Sequence, residues 1–279
     1  MTVVVVGRNS FIARSLRQRK ETAGWSFVRT SEALGSDQWL TGASALINCA
    51  YDPQLKSSPY NPALDVDMHL AQRVLEMPGV RYLMLSSRQV YGPAPFSGRL
   101  QERTRARPAT LYGQAKLMTE QRLSALLGPR LTVLRLSNIC GFEIQEGRQS
   151  FFALAQRGLL ERGRVTLDMS PFVERDFLPV EVLAGWLPGI VRRLRPGLFN
   201  IGAGQGTPTG RIAQWLIEGF GGGELVVSQL REHDPFWLDI GAATQAFAIA
   251  GCGQAQLRDY CRALGRRLGE ARGAFPCIV

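Results

Sequence analysis

Histidine is nearly absent from this sequence, cysteine is sparse and unpatterned, and no long apolar run occurs. Each deficit excludes a class of protein. The two histidines, His69 and His233, have no partners at metal-ligand spacing, so a zinc site is not expected and both read as structural. The five cysteines (Cys49, Cys140, Cys252, Cys261, Cys277) include no C-x-x-C pair and are odd in number. A disulfide framework is therefore not expected, and free thiols in a reducing, cytoplasmic compartment are expected. No stretch of about 18 uncharged apolar residues is present, which argues against a membrane span. Met1 to Gly7 runs straight into a strand pattern, so a basic-then-apolar leader is not expected either. Acidic residues are the minority charge: 23 Asp+Glu face 33 Lys+Arg, a net charge of +10 over 279 residues. That surplus favours an anionic partner. The basic residues are scattered rather than massed in a tail, which favours a phosphorylated small molecule over nucleic acid. With 45% hydrophobic residues, the chain is too apolar to be disordered.

Short β-branched runs alternate with amphipathic segments through the first half. Strands are expected at Val3 to Val6, Trp25 to Arg29, Ala45 to Asn48, Tyr82 to Ser86 and Leu131 to Leu136. Helices are expected at Phe11 to Arg19, Leu64 to Met77 and Leu111 to Leu127. Strand, helix, strand at this spacing predicts an α/β protein with a doubly wound parallel sheet. After about Asn138 the rhythm changes. Helices at Phe151 to Leu160, Val180 to Leu194, Ile212 to Phe220 and Gln256 to Leu268 come with strands only at Arg164 to Leu167 and Leu198 to Ile201. Residues 1–141, rejoined by 179–203, are expected to form a dinucleotide-binding domain. Residues 142–178 and 204–279 are expected to form a smaller lobe over the carboxyl ends of the strands.

Gly7-Arg8-Asn9-Ser10-Phe11-Ile12-Ala13 joins the first strand to the first helix, where backbone can approach a pyrophosphate at a helix N-terminus. Its glycines are incomplete, since Ser10 and Ala13 stand where a G-x-x-G-x-x-G version has Gly. Both are small, and Ser10 can cap the helix. The second strand ends Phe27-Val28-Arg29-Thr30, without the carboxylate that would hold the ribose hydroxyls of NAD. A guanidinium there can pair with a 2′-phosphate, so Arg29, with Arg8 as a second arm, favours NADP over NAD. The alternative is that both are merely solvated.

Tyr112-Gly113-Gln114-Ala115-Lys116 places a phenol and an ammonium at i and i+4, on one helix face. A neighbouring ammonium favours the ionised phenol, making the pair a proton donor and acceptor for a carbonyl/alcohol couple. Upstream, Ser86-Ser87-Arg88-Gln89-Val90-Tyr91-Gly92 ends a strand with hydroxyls.

With these motifs the chain resembles the extended short-chain dehydrogenases/reductases, in the NAD-dependent epimerase/dehydratase group that acts on nucleotide sugars. The likeness runs nearly end to end and takes in Asn48-Cys49-Ala50, Arg135-Leu-Ser-Asn138-Ile-Cys-Gly141, Arg175-Asp176-Phe177, Phe199-Asn200-Ile201-Gly202 and Arg231-x-x-Asp234. It implies a Rossmann fold and a catalytic set of Ser87, Tyr112 and Lys116. Ser87 would hold the reacting oxygen, Tyr112 exchange its proton, and Lys116 favour the phenolate and bind the nicotinamide ribose. Gly7, Arg8, Asn9, Ser10, Phe11 and Ile12 would meet the pyrophosphate, with Cys49, Ala50 and Ser86 lining the cofactor trough. Asn138, Arg175 and Arg231, beside Ser87, would face the substrate. The alternative for the two arginines is an internal ion pair, such as Arg175 with Asp176 or Glu174. A homodimer through helices 64–77 and 111–127 also follows from the resemblance.

Two departures narrow the activity. Arg88-Gln89 stand where similar 4,6-dehydratases carry Asp-Glu, so dehydration is disfavoured, because it needs an acid and a base. Asp65 and Asp67 fall where the family often has Asn, leaving the packing there open. The expected function is NADP-dependent reduction of a keto group on a nucleotide-linked sugar. The alternatives are an epimerase holding NAD tightly and a non-catalytic NADP-binding sensor.

Overall fold

A computed structural model describes residues 2–144, 148–232 and 234–274, with side chains to 272. His233 and Cys277 lie outside the described residues.

Four consecutive valines make β1 (Val3–Val6), and all four are buried. Side chains alternate along a strand. Val3 and Val5 accordingly pack into one apolar cluster with Ala13, Leu16 and Leu183, while Val4 and Val6 pack into another with Leu70, Val74 and Met84. Both faces of the sheet are covered, as a parallel sheet requires.

The first half continues with α1 (Phe11–Arg17), β2 (Ser26–Val28), α2 (Thr30–Gly35), β3 (Ala45–Asn48), α3 (Val66–Leu75), β4 (Arg81–Ser87), β5 (Arg99–Leu100), α4 (Leu111–Leu127) and β6 (Leu131–Leu136). Next come β7 (Asn138–Cys140), α5 (Phe151–Arg162), β8 (Arg164–Leu167), β9 (Glu174–Arg175), β10 (Phe177–Pro179), α6 (Val180–Arg192) and β11 (Gly197–Ile201). The chain closes with β12 (Thr207–Pro208), α7 (Thr209–Phe220), β13 (Glu224–Val227), β14 (Trp237–Leu238), α8 (Gly241–Phe247) and α9 (Gln254–Ala274).

The main sheet has the order β11-β6-β4-β3-β1-β2 and is parallel throughout. The chain leaves β1 toward β2 and then crosses back to β3 on its other side. A crevice therefore opens at the carboxyl ends of β1 and β3, the switch point where doubly wound sheets take ligands.

Some boundaries differ from the sequence expectation for local reasons. The helix expected from Leu64 starts at Val66, because Pro62–Leu64 forms a 3-10 turn and Asp65 caps α3 by accepting from the Asp67 N–H at 3.0 Å. Pairings also occur where the pattern showed no strand rhythm. β13 runs parallel to β8, and β14 runs parallel to β5. Among the described residues, no helix is long and apolar enough to cross a membrane.

Candidate active site

The turn after β1 is built around a position only glycine can hold. Gly7 has φ +85°, and a Cβ there would stand 2.8 Å from Ala50 N and 3.0 Å from Cys49 C. Its N–H and that of Arg8 both donate to Val28 O at 3.0 Å, which ties the turn to the end of β2. Ser10 caps α1, accepting from the Ala13 N–H at 3.2 Å. It therefore keeps the α1 N-terminus in order without the second glycine. Arg8 is half-buried and Asn9 exposed, and the buried Arg8 Nε has no hydrogen-bond partner among the described residues.

A second glycine sets how α4 meets β4. A Cβ on Gly113 would stand 2.5 Å from Gln89 O. Its absence lets the first turn of α4 lie against the 3-10 turn that follows Ser87. Gln89 adds a side-chain contact, its Oε1 accepting from Thr110 Oγ1 at 2.8 Å, and Thr110 in turn caps α4. Ser87 and Tyr112 are thus brought to one place by backbone contact.

That place is a cavity of about 240 Å³ whose walls include Ser10, Phe11, Ile12, Cys49, Ser86, Ser87 and Tyr112. The turn after β1 and the hydroxyl pair thus open into the same space. The remaining described walls are Leu136, Ser137, Ile139 and Arg148, so the lining contains no carboxylate among the described residues. Arg148 was not singled out by the sequence. Its guanidinium lies 4.6 Å over the Phe11 ring and its Nε is 2.9 Å from the buried Glu143 carboxylate. Nothing in local spacing could have placed it there. Burial pushes the Cys49 thiol up to about 12, so it lines the cavity as a neutral group.

Lys116 sits behind Tyr112 rather than in the cavity wall. Its Nζ donates to Leu85 O at 3.0 Å, lies 3.5 Å from Asp67 Oδ2, and stands 4.8 Å over the Tyr51 ring. The Tyr51 ring meets Tyr112 edge-on with 5.1 Å between centroids, linking ammonium and phenol through one aromatic neighbour. Burial works against the ammonium. The carboxylates of Asp67 and Asp65, together with Tyr112, outweigh it and hold the Lys116 pKa above its ordinary value. Lys116 is therefore a cation at neutral pH. Asp67 also accepts from Tyr82 Oη at 2.8 Å, and Asp65 from Thr119 Oγ1 at 2.6 Å and Tyr60 Oη at 2.8 Å. The two carboxylates left open by the sequence are thus built into the packing of α3 on α4.

Glu120 continues the face of Tyr112 and Lys116 one turn further. It accepts from Ser86 Oγ and holds Arg135 through Nε at 3.0 Å and Nη2 at 2.6 Å. Ser86 therefore contributes a wall to the trough, but its hydroxyl is committed to Glu120. Ala50 packs beside Gly7, and Asn138 opens β7 between two cavity residues without lining the cavity itself. Arg29 is exposed, its Nε 3.8 Å from Glu32, whose carboxylate accepts from the Arg29 N–H at 3.0 Å. Arg231 is exposed. Arg175 forms no ion pair with Asp176 or Glu174. Asp176 instead accepts from the N–H groups of Ala203 at 2.7 Å and Leu238 at 3.0 Å, and burial raises its carboxyl to about 6. His69 is half-buried, its Nε2 3.0 Å from Ala63 O. Among the described residues no group of three or more His, Cys, Asp or Glu is placed to hold a metal.

The residues present fit a dinucleotide. The turn after β1 sets the α1 N-terminus at the cavity, the orphan Arg8 Nε can donate to an anion, and the cavity continues from Ser10 to Ser87 and Tyr112. The chain belongs to the NAD dependent epimerase/dehydratase family, whose pattern matches residues 3–202. It is an NAD(P)-dependent enzyme of the short-chain dehydrogenase/reductase type. Three solved structures share its fold. RMD from Pseudomonas aeruginosa, solved with NADPH, aligns with a TM-score of 0.78 at 19% identity over 97% of this chain and 98% of that one. UDP-glucose 4-epimerase from Thermotoga maritima, solved with UDP-glucose, aligns with a TM-score of 0.79 at 18% identity over 97% and 99%. The NDP-hexosamine 5,6-dehydratase TunA, involved in tunicamycin biosynthesis, aligns with a TM-score of 0.79 at 17% identity over 97% and 98%. No curated protein matches the chain.

Proposed function

We propose that the protein is a reductase of a keto group on a nucleotide-linked sugar, with NADPH as the preferred reductant. The observation that carries this reading is the cavity lining. Among the described residues it presents the hydroxyls of Ser87 and Tyr112 and no carboxylate. Dehydration needs an acid to expel a hydroxyl and a base for the neighbouring proton. The two positions where a dehydratase would carry them are otherwise engaged: Arg88 is paired with Asp234 and Gln89 with Thr110. Carbonyl reduction needs only one proton and a place to hold the oxygen.

The bound nicotinamide would supply the hydride. Ser87 Oγ donates to the substrate carbonyl oxygen and fixes it near the Tyr112 phenol. Tyr112 gives its proton to that oxygen as the carbon accepts hydride, so a C=O becomes a CH–OH. Lys116, held as a cation by Asp67, offsets the charge left on the phenol. Gly7, Ser10, Arg8 and Asn9 take the pyrophosphate at the α1 N-terminus. Arg29, at the end of β2, takes the 2′-phosphate. Arg175, Arg231 and Asn138 hold the sugar nucleotide.

The test is NADPH oxidation by the purified protein against a panel of UDP-, GDP-, dTDP- and CDP-linked keto-sugars, with NADH alongside. Turnover with at least one of them, faster with NADPH, is expected. Purified protein carrying stoichiometric NAD and interconverting sugar epimers without added cofactor would overturn the reading. Cofactor binding without turnover of any sugar would leave only a sensor.

A further inference from the structure

Lys116 and Tyr112 share a face of α4, yet among the described residues no hydrogen bond or ion pair joins them. Tyr51, just past the carboxyl end of β3, touches both. Its ring carries the Lys116 ammonium 4.8 Å from the centroid and meets the Tyr112 ring at 81°, with 5.1 Å between centroids. The ring is held from both ends. On the backbone side, the Cys49 N–H donates to Val6 O at 2.9 Å and the Ala50 N–H to Asn48 Oδ1 at 2.8 Å. At the tip, Tyr51 Oη donates to Leu55 O at 3.2 Å. Leu55 lies in the 3-10 turn Pro53–Lys56, which is anchored by its own buried side chain and capped by Asp52 through the Gln54 N–H at 2.9 Å.

Tyr51 is not itself placed to exchange a proton with a substrate. The described cavity walls include Tyr112 but not Tyr51. Burial above all, then Tyr112 and the carboxylates of Asp65, Asp67 and Asp52, hold the Tyr51 phenol above its ordinary pKa, so it stays neutral. What it offers is a ring. An aromatic face attracts an ammonium, and near-perpendicular rings are a favoured pairing, each contact being worth up to about a tenfold factor. The ring also fills space that water would otherwise enter, and water there would screen the Lys116 charge.

We propose that Tyr51 is a positioning residue for proton transfer: its ring seats the Lys116 ammonium and sets the Tyr112 ring, so that the cation acts on the phenol across a fixed aromatic contact. This rests on the reading of Tyr112 as the proton donor. Neither Tyr51 nor its turn was singled out by the sequence, because the contact joins the loop after β3 to a helix some 60 positions further on.

The experiment compares wild type, Tyr51→Phe, which keeps the ring, and Tyr51→Leu, which removes it. A cooperative thermal transition and a Kd for NADPH within about threefold of wild type show that each is folded. The first arm needs no substrate. Protein labelled with ring-13C tyrosine gives a Tyr112 signal, assigned by its loss in Tyr112→Phe, and Lys116→Met is added to each background. Lys116→Arg is the second probe should Lys116→Met not fold. The Lys116 change should move the Tyr112 signal in wild type and in Tyr51→Phe, and move it less than about half as far in Tyr51→Leu. The second arm is turnover of the keto-sugar. Tyr51→Leu should lower kcat by roughly 10–100-fold with KM values nearly unchanged, while Tyr51→Phe stays within about threefold of wild type. An equal displacement of the Tyr112 signal in all backgrounds, an undiminished kcat in Tyr51→Leu, or equal losses in Tyr51→Phe and Tyr51→Leu would overturn the proposal. Failure of the reductase reading shows separately, as an absence of keto-sugar turnover in wild type, and the labelling arm then decides the role of Tyr51 alone.

Discussion

Replacing Glu120 by Ala should damage this protein more than any single change on the outer face of α4. Glu120 and Arg135 have side chains 8% and 6% exposed, and the carboxylate also accepts from Ser86 Oγ. Burial works against the guanidinium, but the hydrogen bonds and charge of Glu120, helped by Tyr91, hold the Arg135 pKa above its usual value. Truncation leaves that cation buried without its anion, at a cost of about 3–5 kcal/mol. It also strands the Ser86 hydroxyl, at a cost of roughly 1–3 kcal/mol. The sum is about 4–8 kcal/mol, a large part of the 5–15 kcal/mol typical of a folded domain. At 2–4 °C per kcal/mol for a chain of this class, the midpoint of thermal unfolding should fall by about 10–30 °C. Glu120→Ala/Arg135→Met should recover much of the loss, because the second change removes the orphaned charge. Urea unfolding of wild type, both single variants and the double variant at constant slope gives the coupling, expected to exceed about 2 kcal/mol. A Glu120→Ala cost below about 1 kcal/mol, or strict additivity in the cycle, would refute the reasoning.

Other expectations follow from the same geometry. Gly7→Ala should cost about 2–5 kcal/mol and abolish cofactor binding, because its Cβ meets backbone at 2.8 Å as well as the positive-φ penalty. Gly42→Ala, with φ +72° but open space around it, should cost only about 1–2 kcal/mol by the same unfolding assay. Asp67→Asn removes the carboxylate that holds Lys116 charged while keeping a group that Tyr82 can contact. The Lys116 pKa is raised in the folded protein, so its stabilising contribution is complete below the unfolded lysine value and disappears as pH climbs through the folded value. The variant should lose on the order of 3 kcal/mol near neutrality, and the alkaline limb of its activity should move to lower pH, as read from a pH–rate profile. Arg29→Ala should raise KM for NADPH about tenfold while leaving KM for NADH nearly unchanged, since only the former offers a phosphate to the guanidinium.

Much of this was legible before any coordinates. The four valines of β1, the glycine after them and the helix carrying Tyr112 and Lys116 encode local geometry, and each forms where the pattern put it, although only Tyr112 of that pair reaches the cavity wall. Partners far apart in the chain were not legible. No periodicity announces that β13 pairs with β8, or that two-residue strands join residues 99–100 to 237–238. The ammonium of Lys116 was expected, but its carboxylate, Asp67, lies 49 positions away on another helix. Gly113 held a usable signal, since a glycine in the first turn of a helix is costly unless something needs the space. Asp176 shows the opposite failure. Adjacent to Arg175, it offered itself as an ion-pair partner, yet its oxygens are taken by backbone amides from two other segments.

The role given to the Tyr112 phenol is tested most directly by Tyr112→Phe, which removes one oxygen from the cavity wall and leaves the ring against Tyr51. Turnover of the keto-sugar should fall by roughly 10²–10⁴-fold while the Kd for NADPH stays within about twofold, because the proton donor is lost and the pyrophosphate turn is not. Undiminished turnover in that variant would contradict the account.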